Sequence, residues 1–304
     1  MCAPICLFVY SRKSHTERTV EALLKNSLAS QSDLIIFSDA ARTSLEAQDV
    51  SAVRDYIENI NGFKSIKIIY RESNYGLAKS ICDGVSQALN EYESAIILED
   101  DLVTSPYFLQ YMNEALEFYS GNESVISIHG YVYPIYGLLP EAFFLKGADC
   151  WGWATWRRGW KIFNSNSDEL LDGLNKAGLI YEFDYDGNYA FSKMLKNQAK
   201  GKNKSWAIRW HASAFLAGKL TLHPGRSLVR NIGHDASGIH CSSTDQFDVR
   251  LAETPIQFKG VKIEESPIAR DLFINFFKKN RKKFISRVIN NLIKRISKFR
   301  RLIY

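Results

Sequence analysis

Strand-like and helix-like segments alternate through the first hundred residues, and no other feature of the sequence narrows the fold as far. "PICLFVY", "SDLIIFSDA", "IKIIYRE" and "SAIILED" read as strands. Between them "SHTERTVEALLKNSL", "EAQDVSAVRDYIENI" and "GLAKSICDGVSQALNEY" carry helical spacing, with Ser14 or Thr16 placed to cap the first. A β-α-β-α-β-α-β series predicts a mostly parallel sheet covered by helices, and ligands on such sheets bind beyond the carboxyl ends of the strands. The polar residues at those ends are Ser11 and Arg12, Ser38 and Asp39, Arg71 with Asn74, and Glu99-Asp100-Asp101. No Gly-x-Gly-x-x-Gly fingerprint follows the first strand and no phosphate-binding Gly-x4-Gly-Lys-Ser/Thr loop occurs, which argues against dinucleotide oxidoreductases and P-loop enzymes.

The fourth strand ends abruptly in three carboxylates, within "SAIILEDDLVTSP". Strand alternation predicts that Glu99 and Asp101 share a face while Asp100 points the other way. Two carboxylates a few ångströms apart at a sheet mouth form half of an oxygen-ligand site for Mg2+ or Mn2+, completed by substrate phosphate and water. A helix over "SPYFLQYMNEALEFY" is expected next, with Ser105 as cap and Pro106 in its first turn.

With 304 residues, 46% of them hydrophobic, the chain can bury one sizeable core. Five scattered cysteines without a Cys-x-x-Cys pair suggest neither a disulfide framework nor a zinc site, and fit a reducing compartment. The N-terminal "MCAPICLFVYSRK" reads as a first strand rather than a signal peptide, and no run of apolar residues is long enough to span a membrane. Charge is unevenly spread. From Arg270 onward twelve Lys and Arg face one acid, Asp271, so this segment's +11 outweighs the +6 of the whole chain and leaves the preceding body at −5. Phe284, Ile285, Val288, Ile289, Leu292, Ile296, Phe299 and Ile303 recur there at helical spacing, giving a basic amphipathic helix. Three readings compete: packing on its own domain, a membrane-surface anchor on anionic lipid, and a nucleic-acid arm. The anchor leads because the apolar face is rich in Phe, Ile and Leu and the polar face is almost purely cationic. The body holds no stacking motif of a nucleic-acid module, so no nucleic-acid partner is expected.

"FVYSRKSHTERTVEAL", "SNYGLAKSICDGV" and "IILEDDLVTSPYFLQYMNEAL", taken in this order, resemble GT-A fold glycosyltransferases of the family 2 type. The likeness is to a bacterial branch related to N-acetylglucosaminyltransferase I, which carries a Glu-Asp-Asp version of the Asp-x-Asp motif. "CWGWATWRRGW" and "SWAIRWHASAFLAGKLTLHPGRSLVRNIGHDASGIHC" extend it over roughly residues 3 to 242. The resemblance implies an α/β fold of GT-A type: a mostly parallel, Rossmann-like sheet binding a nucleotide-diphosphate sugar, with the basic helix appended. It makes Asp101 the metal ligand for Mn2+ or Mg2+ and brings Glu99 and Asp100 to the donor. Asp39 then lies near the base or ribose, Tyr10, Ser11 and Arg12 form the loop over the base, and Arg71, Asn74, Gly76 and Lys79 approach the donor from the third strand.

An inverting transferase also needs a carboxylate base at the acceptor hydroxyl. Here the sequence departs from the resembled pattern, because Trp206 is followed by Ala207, Ile208 and Arg209 rather than a carboxylate. Asp235 and Asp186, in glycine-flanked loops, come first as candidates, with Asp149 and Asp184 behind them. His234 and His240 are candidates for the diphosphate or the metal. Of the dense tryptophans, Trp156 and Trp160 are expected to face a core, and Trp151 and Trp153 to offer a platform to a sugar face. The expected division is a nucleotide-sugar half over 1–128, an acceptor and catalytic half over 129–250, a linker over 251–269 and the membrane-associating tail over 270–304. The implied activity is transfer of a sugar to a glycan acceptor, lipid-linked, in bacterial surface polysaccharide or lipopolysaccharide assembly at the cytoplasmic face of the membrane. The alternatives are a nucleotidyltransferase making sugar nucleotides, whose glycine-rich loop is missing from "VYSRKSHTERT", and a non-catalytic membrane-binding protein.

Overall fold

The computed structural model describes residues 2–235 and 244–281. The alternating segments form β1 (Ile5–Val9), α1 (Lys13–Leu24), β2 (Asp33–Ser38), α2 (Ala47–Ile57), β3 (Ser65–Tyr70), α3 (Gly76–Glu91) and β4 (Ser94–Glu99). There follow β5 (Leu102–Thr104), α4 (Phe108–Phe118), β6 (Val125–His129), β7 (Ala142–Lys146), β8 (Trp153–Trp156), α5 (Arg157–Trp160), α6 (Ser167–Lys176), α7 (Ile180–Phe183), α8 (Phe191–Ala199), α9 (Ala207–Leu216), β9 (Leu220–Pro224) and β10 (Val229–Asn231). Eight strands make one sheet in the order β3-β2-β1-β4-β8-β6-β9-β7, while β5 and β10 pair separately. β3, β2, β1 and β4 run parallel, as the alternation requires, and β6 and β9 are parallel as well. β8 runs antiparallel between β4 and β6, and β7 antiparallel to β9.

The inner strands are buried on both faces, which is why they read as continuous apolar runs. Along β1, Ile5, Leu7 and Val9 enter one core layer and Cys6 and Phe8 the other; β2 divides Leu34 and Ile36 from Ile35 and Phe37 in the same way. Edge strand β3 alternates between exposed and partly buried positions. α4 begins at Phe108 rather than at Pro106: Ser105 Oγ accepts from the Tyr107 amide (3.3 Å), and Asn26 Oδ1 accepts from the Leu109 amide (2.9 Å) from a distant turn. Neither Ser14 nor Thr16 caps α1, whose first turn follows Arg12.

The tryptophans separate differently from expectation. Trp153 has no exposed surface; it packs 5.6–5.8 Å, centroid to centroid, from Trp160, Trp206 and Trp210, so it is core and not a sugar platform. Trp156, on β8 rather than a helix, is also buried, and Trp151 alone of the first pair stays partly exposed. The expected linker lies against the body: Ala252, Ile256 and Phe258 join the main core, and Phe258 meets Tyr111 and Tyr119. Residues 267–281 are helical, with Ala269, Phe273, Phe276 and Phe277 buried against Val132, Phe143 and Leu145, so the basic segment starts as a docked helix. The amphipathic positions Phe284 to Ile303, like His240, lie outside the described residues.

Gly147, after β7, combines a φ of +88° with the His211 ring, which a β-carbon would meet at 2.4 Å. Gly147→Ala is expected to cost about 2 kcal/mol or more, since it adds left-handed strain to overpacking; urea unfolding should show a lower midpoint at an unchanged slope.

Candidate functional site

β1 lies between β2 and β4, so the polar ends of all three strands open on one edge of the sheet. β4 ends at Glu99, and Asp100 and Asp101 form the turn into β5. Because the chain leaves the strand there, strict alternation fails: Arg12 Nη2 reaches both Asp100 Oδ1 and Asp101 Oδ2, the latter at 2.8 Å. From the β1–α1 loop the Arg12 side chain thus clamps the acidic turn. Thr19 donates to the Asp100 carbonyl (2.8 Å) and the Ile232 amide to the Asp101 carbonyl (2.9 Å), joining α1 and the chain after β10 to the same turn.

One guanidinium cannot neutralise three carboxylates. Burial, then the charges of Asp101 and Asp100, push Glu99 up to about 8. Burial also raises Asp100, against the pull of Arg12. Asp101 approaches the backbone closely at Gly233, where a β-carbon would stand 2.1 Å from Asp101 Oδ2. The next residue, His234, packs on Trp151 and Phe247 at 5.3 Å each, and its buried Nε2 has no hydrogen-bond partner. Burial lowers its pKa, more than the charge of Asp101 raises it. Among the described residues no three His, Cys, Asp or Glu converge into a metal cage. Asp101 alone offers the carboxylate oxygen that a hard divalent cation would share with phosphate and water, and His234 is a nitrogen donor of the kind such a cation seldom takes.

The second cluster is built on Asp39, at the end of β2. Its carboxylate accepts from the amides of Ala40 (3.0 Å), Tyr75 (2.9 Å) and Gly76 (2.9 Å) and from Asn74 Nδ2 (3.2 Å). Asp39 and Asn74 thus shape the loop entering α3, where Gly76 takes a φ of +69°. Arg71 stacks on Tyr75 and Phe37, and its buried Nε and Nη2 have no partner, leaving donors for a ligand. Lys79 is exposed, paired with Asp83 and poised over the Tyr75 ring. Tyr10 donates to Glu46 (2.8 Å) and accepts from the Arg42 amide, and Ser11 lies between it and Arg12 in the β1–α1 loop.

The two carboxylates placed first as base are both engaged. Asp186 grips Arg270 through both oxygens (2.6 and 3.2 Å), which holds it below the usual carboxylate range and pins the C-terminal helix. Asp235 pairs with His15 at 3.1 Å. Asp184 accepts from the amide and hydroxyl of Ser192.

A cavity of about 220 Å³ lies beyond Trp151, lined among others by Asp149, Cys150, His211, His223, Tyr189 and Phe277. Sequence reading gave His129 and His223 no role, and no local motif marks them, since they come from strands far apart in the chain. They form a buried pair with Nδ1 atoms 3.3 Å apart, and burial pushes both down to about 3. His129 Nε2 accepts from the Trp151 amide (3.2 Å), so its proton sits on Nδ1 and is donated to His223, whose own proton is then on Nε2.

No family model and no curated protein matches the chain. Solved structures similar to it include TarS of S. aureus (13% identity over 77% of this chain and 37% of that one, TM-score 0.43). Others are the mannosyltransferase PcManGT of Pyrobaculum calidifontis in complex with GDP-Man and Mn2+ (12%, 70% and 69%, 0.38) and a UDP-glucose pyrophosphorylase complexed with UDP-glucose (14%, 73% and 90%, 0.37). The chain thus covers well under half of TarS. At TM-scores below 0.5 these likenesses carry no weight for function.

Because the fold raises the pKa of Glu99, its contribution to stability is present at low pH and is lost as pH rises from about 4.3 towards 8. Glu99→Gln should therefore melt above the parent at pH 8.5 without added metal, with the gap closing at pH 5. Calorimetry showing the variant less stable at both pH values would instead mean that Glu99 makes a stabilising bond.

Proposed function

We propose that the chain is a metal-dependent, inverting glycosyltransferase that moves a sugar from a nucleotide-diphosphate donor to a lipid-linked glycan acceptor in bacterial surface polysaccharide or lipopolysaccharide assembly. The observation that carries this reading is the end of β4, where Glu99, Asp101 and the Arg12 clamp lie against Gly233 and near the loop organised on Asp39, with the unpartnered Nε2 of His234 one residue on. Mn2+ or Mg2+ held by Asp101 would supply charge neutralisation for the departing diphosphate. Arg12 keeps the acidic turn compact enough to present Asp101, while Arg71 offers buried, unspent donors to the nucleotide. Asp39 acts on the donor through the loop it folds, since its oxygens already accept four hydrogen bonds.

Thermal melting against nucleoside diphosphates and their sugars, with and without Mn2+, tests this reading. One nucleotide with Mn2+ should raise the melting temperature, by about 2.7 kcal/mol of added stability at a hundredfold excess over Kd, and Asp101→Asn should remove the metal-dependent part. A shift confined to nucleoside triphosphate with sugar 1-phosphate would replace this reading with a nucleotidyltransferase, and no shift with any nucleotide would end it.

The membrane reading rests on a surface next to the docked C-terminal helix. Tyr136, Leu138 and Ile268 are exposed, Leu138 to 95%, and Lys279 Nζ stands 3.8 Å over the Tyr136 ring. Apolar tips among cations suit the interface of an anionic bilayer, and no helix of the described residues is long and apolar enough to cross one. This surface supports the proposal of peripheral attachment at the inner face of the cell membrane. Binding to phosphatidylglycerol vesicles should weaken about tenfold or more in the double variant Lys278→Glu/Lys279→Glu, at about 1 kcal/mol per cation; equal sedimentation of variant and parent would remove this surface from the account.

A further inference from the structure

The cavity beyond Trp151 is not explained by the donor cluster, yet it opens next to it. β8 pairs with β4 in the register Ile97↔Trp153, and Gly152 just before it lies close to Leu98, so Trp151 stands near the end of β4. Trp151 packs on His234 on the acidic side and lines the cavity on the other. The charges of Glu99 and Asp101 are felt by the Cys150 thiol, which burial and Asp149 also raise. A molecule filling the cavity would therefore reach the donor site past the edge of the Trp151 indole.

The walls divide into an aromatic part and a polar part. Tyr133, Tyr185, Tyr189, Phe191, Phe273 and Phe277 supply flat apolar faces of the kind that stack on sugar rings. The polar part includes Asp149, His211 and His223, with Lys146, Cys150 and Ser205 also in the wall. Asp149 Oδ1 accepts from the Cys150 amide (2.8 Å), which fixes the carboxyl at the wall. His223 carries its proton on Nε2 by the relay from Trp151 through His129. His211 is 9% exposed; its Nδ1 donates to the Ala148 carbonyl (2.8 Å), which leaves Nε2 an acceptor, and that atom is buried with no partner. A buried acceptor left unsatisfied in a lined cavity points to a hydroxyl-bearing ligand.

Accepting the glycosyltransferase reading above, we propose that this cavity receives the terminal sugar of the acceptor and that Asp149 is the catalytic base. The other carboxylates considered for that role are committed: Asp186 to Arg270, Asp184 to Ser192 and Asp235 to His15. In the step, the acceptor hydroxyl gives its proton to the Asp149 carboxylate as its oxygen bonds to the anomeric carbon. The bond from that carbon to the diphosphate oxygen breaks, and its electron pair leaves with the nucleoside diphosphate. Asp149 then returns the proton to solvent. Burial raises Asp149 above the usual carboxylate range, which makes it a stronger base than an exposed aspartate. The tail helix closes one wall through Phe273 and Phe277, so the cavity and the proposed membrane surface share an element.

The test uses the full chain with Mn2+, the nucleotide sugar selected by melting, and a panel of p-nitrophenyl hexosides as acceptor probes. Binding is read by saturation-transfer NMR and transfer by chromatography. Asp149→Asn is expected to keep donor binding and lose transfer by a hundredfold or more. Ala207→Phe, which fills the cavity from α9, is expected to abolish hexoside binding and leave donor binding intact. Transfer within tenfold of the parent in Asp149→Asn, unchanged hexoside binding in Ala207→Phe, or donor binding with no hexoside bound would each overturn the proposal. Failure of the parent to bind any nucleotide would overturn the glycosyltransferase reading itself, and this proposal with it.

Discussion

Three carboxylates crowded at the end of the central strand β4 set a charge problem that the surrounding structure answers. Arg12 takes two of them on one nitrogen, α1 supplies Thr19 to the turn, and the chain after β10 returns to pack Gly233 and His234 against Asp101. Glu99 remains, and its raised pKa measures what is left unsolved. Replacing Glu99 with a neutral residue of the same shape would relieve this repulsion, so the acid is held at a cost in stability.

The second organising fact is the antiparallel insertion of β8 beside β4. A parallel neighbour would have run away from the acidic edge; β8 instead runs towards the core from that edge, so the segment just before it, Asp149-Cys150-Trp151, must lie there. Gly152, at a φ of +68°, lets the chain turn into the strand close to Leu98 and Val229. The same insertion brings β6 next to β8 and places His129 under Trp151, which ties the cavity wall to the sheet.

Much of the N-terminal half was legible. Apolar runs bounded by helical spacing specify parallel strands because both faces of each strand must be buried, and β1 to β4 follow. The polar strand ends were legible for the same reason. Side-chain partnerships were not: Asp39 was placed at a ligand but spends its oxygens on backbone amides, and Arg12 crosses to a turn 88 residues away. Trp153 and Trp151 look alike in "CWGW", yet strand register buries the first and leaves the second at the cavity.

By itself the sequence determined which segments become strands and helices, and that acids, a basic segment and tryptophans would cluster along the chain, since periodicity and composition are local properties. Which carboxylate stands in a cavity, which are spent on Arg270, Ser192 or His15, and that the basic segment begins as a docked helix were decided only by the tertiary structure. Those outcomes depend on contacts between residues distant in the chain, which no local pattern encodes.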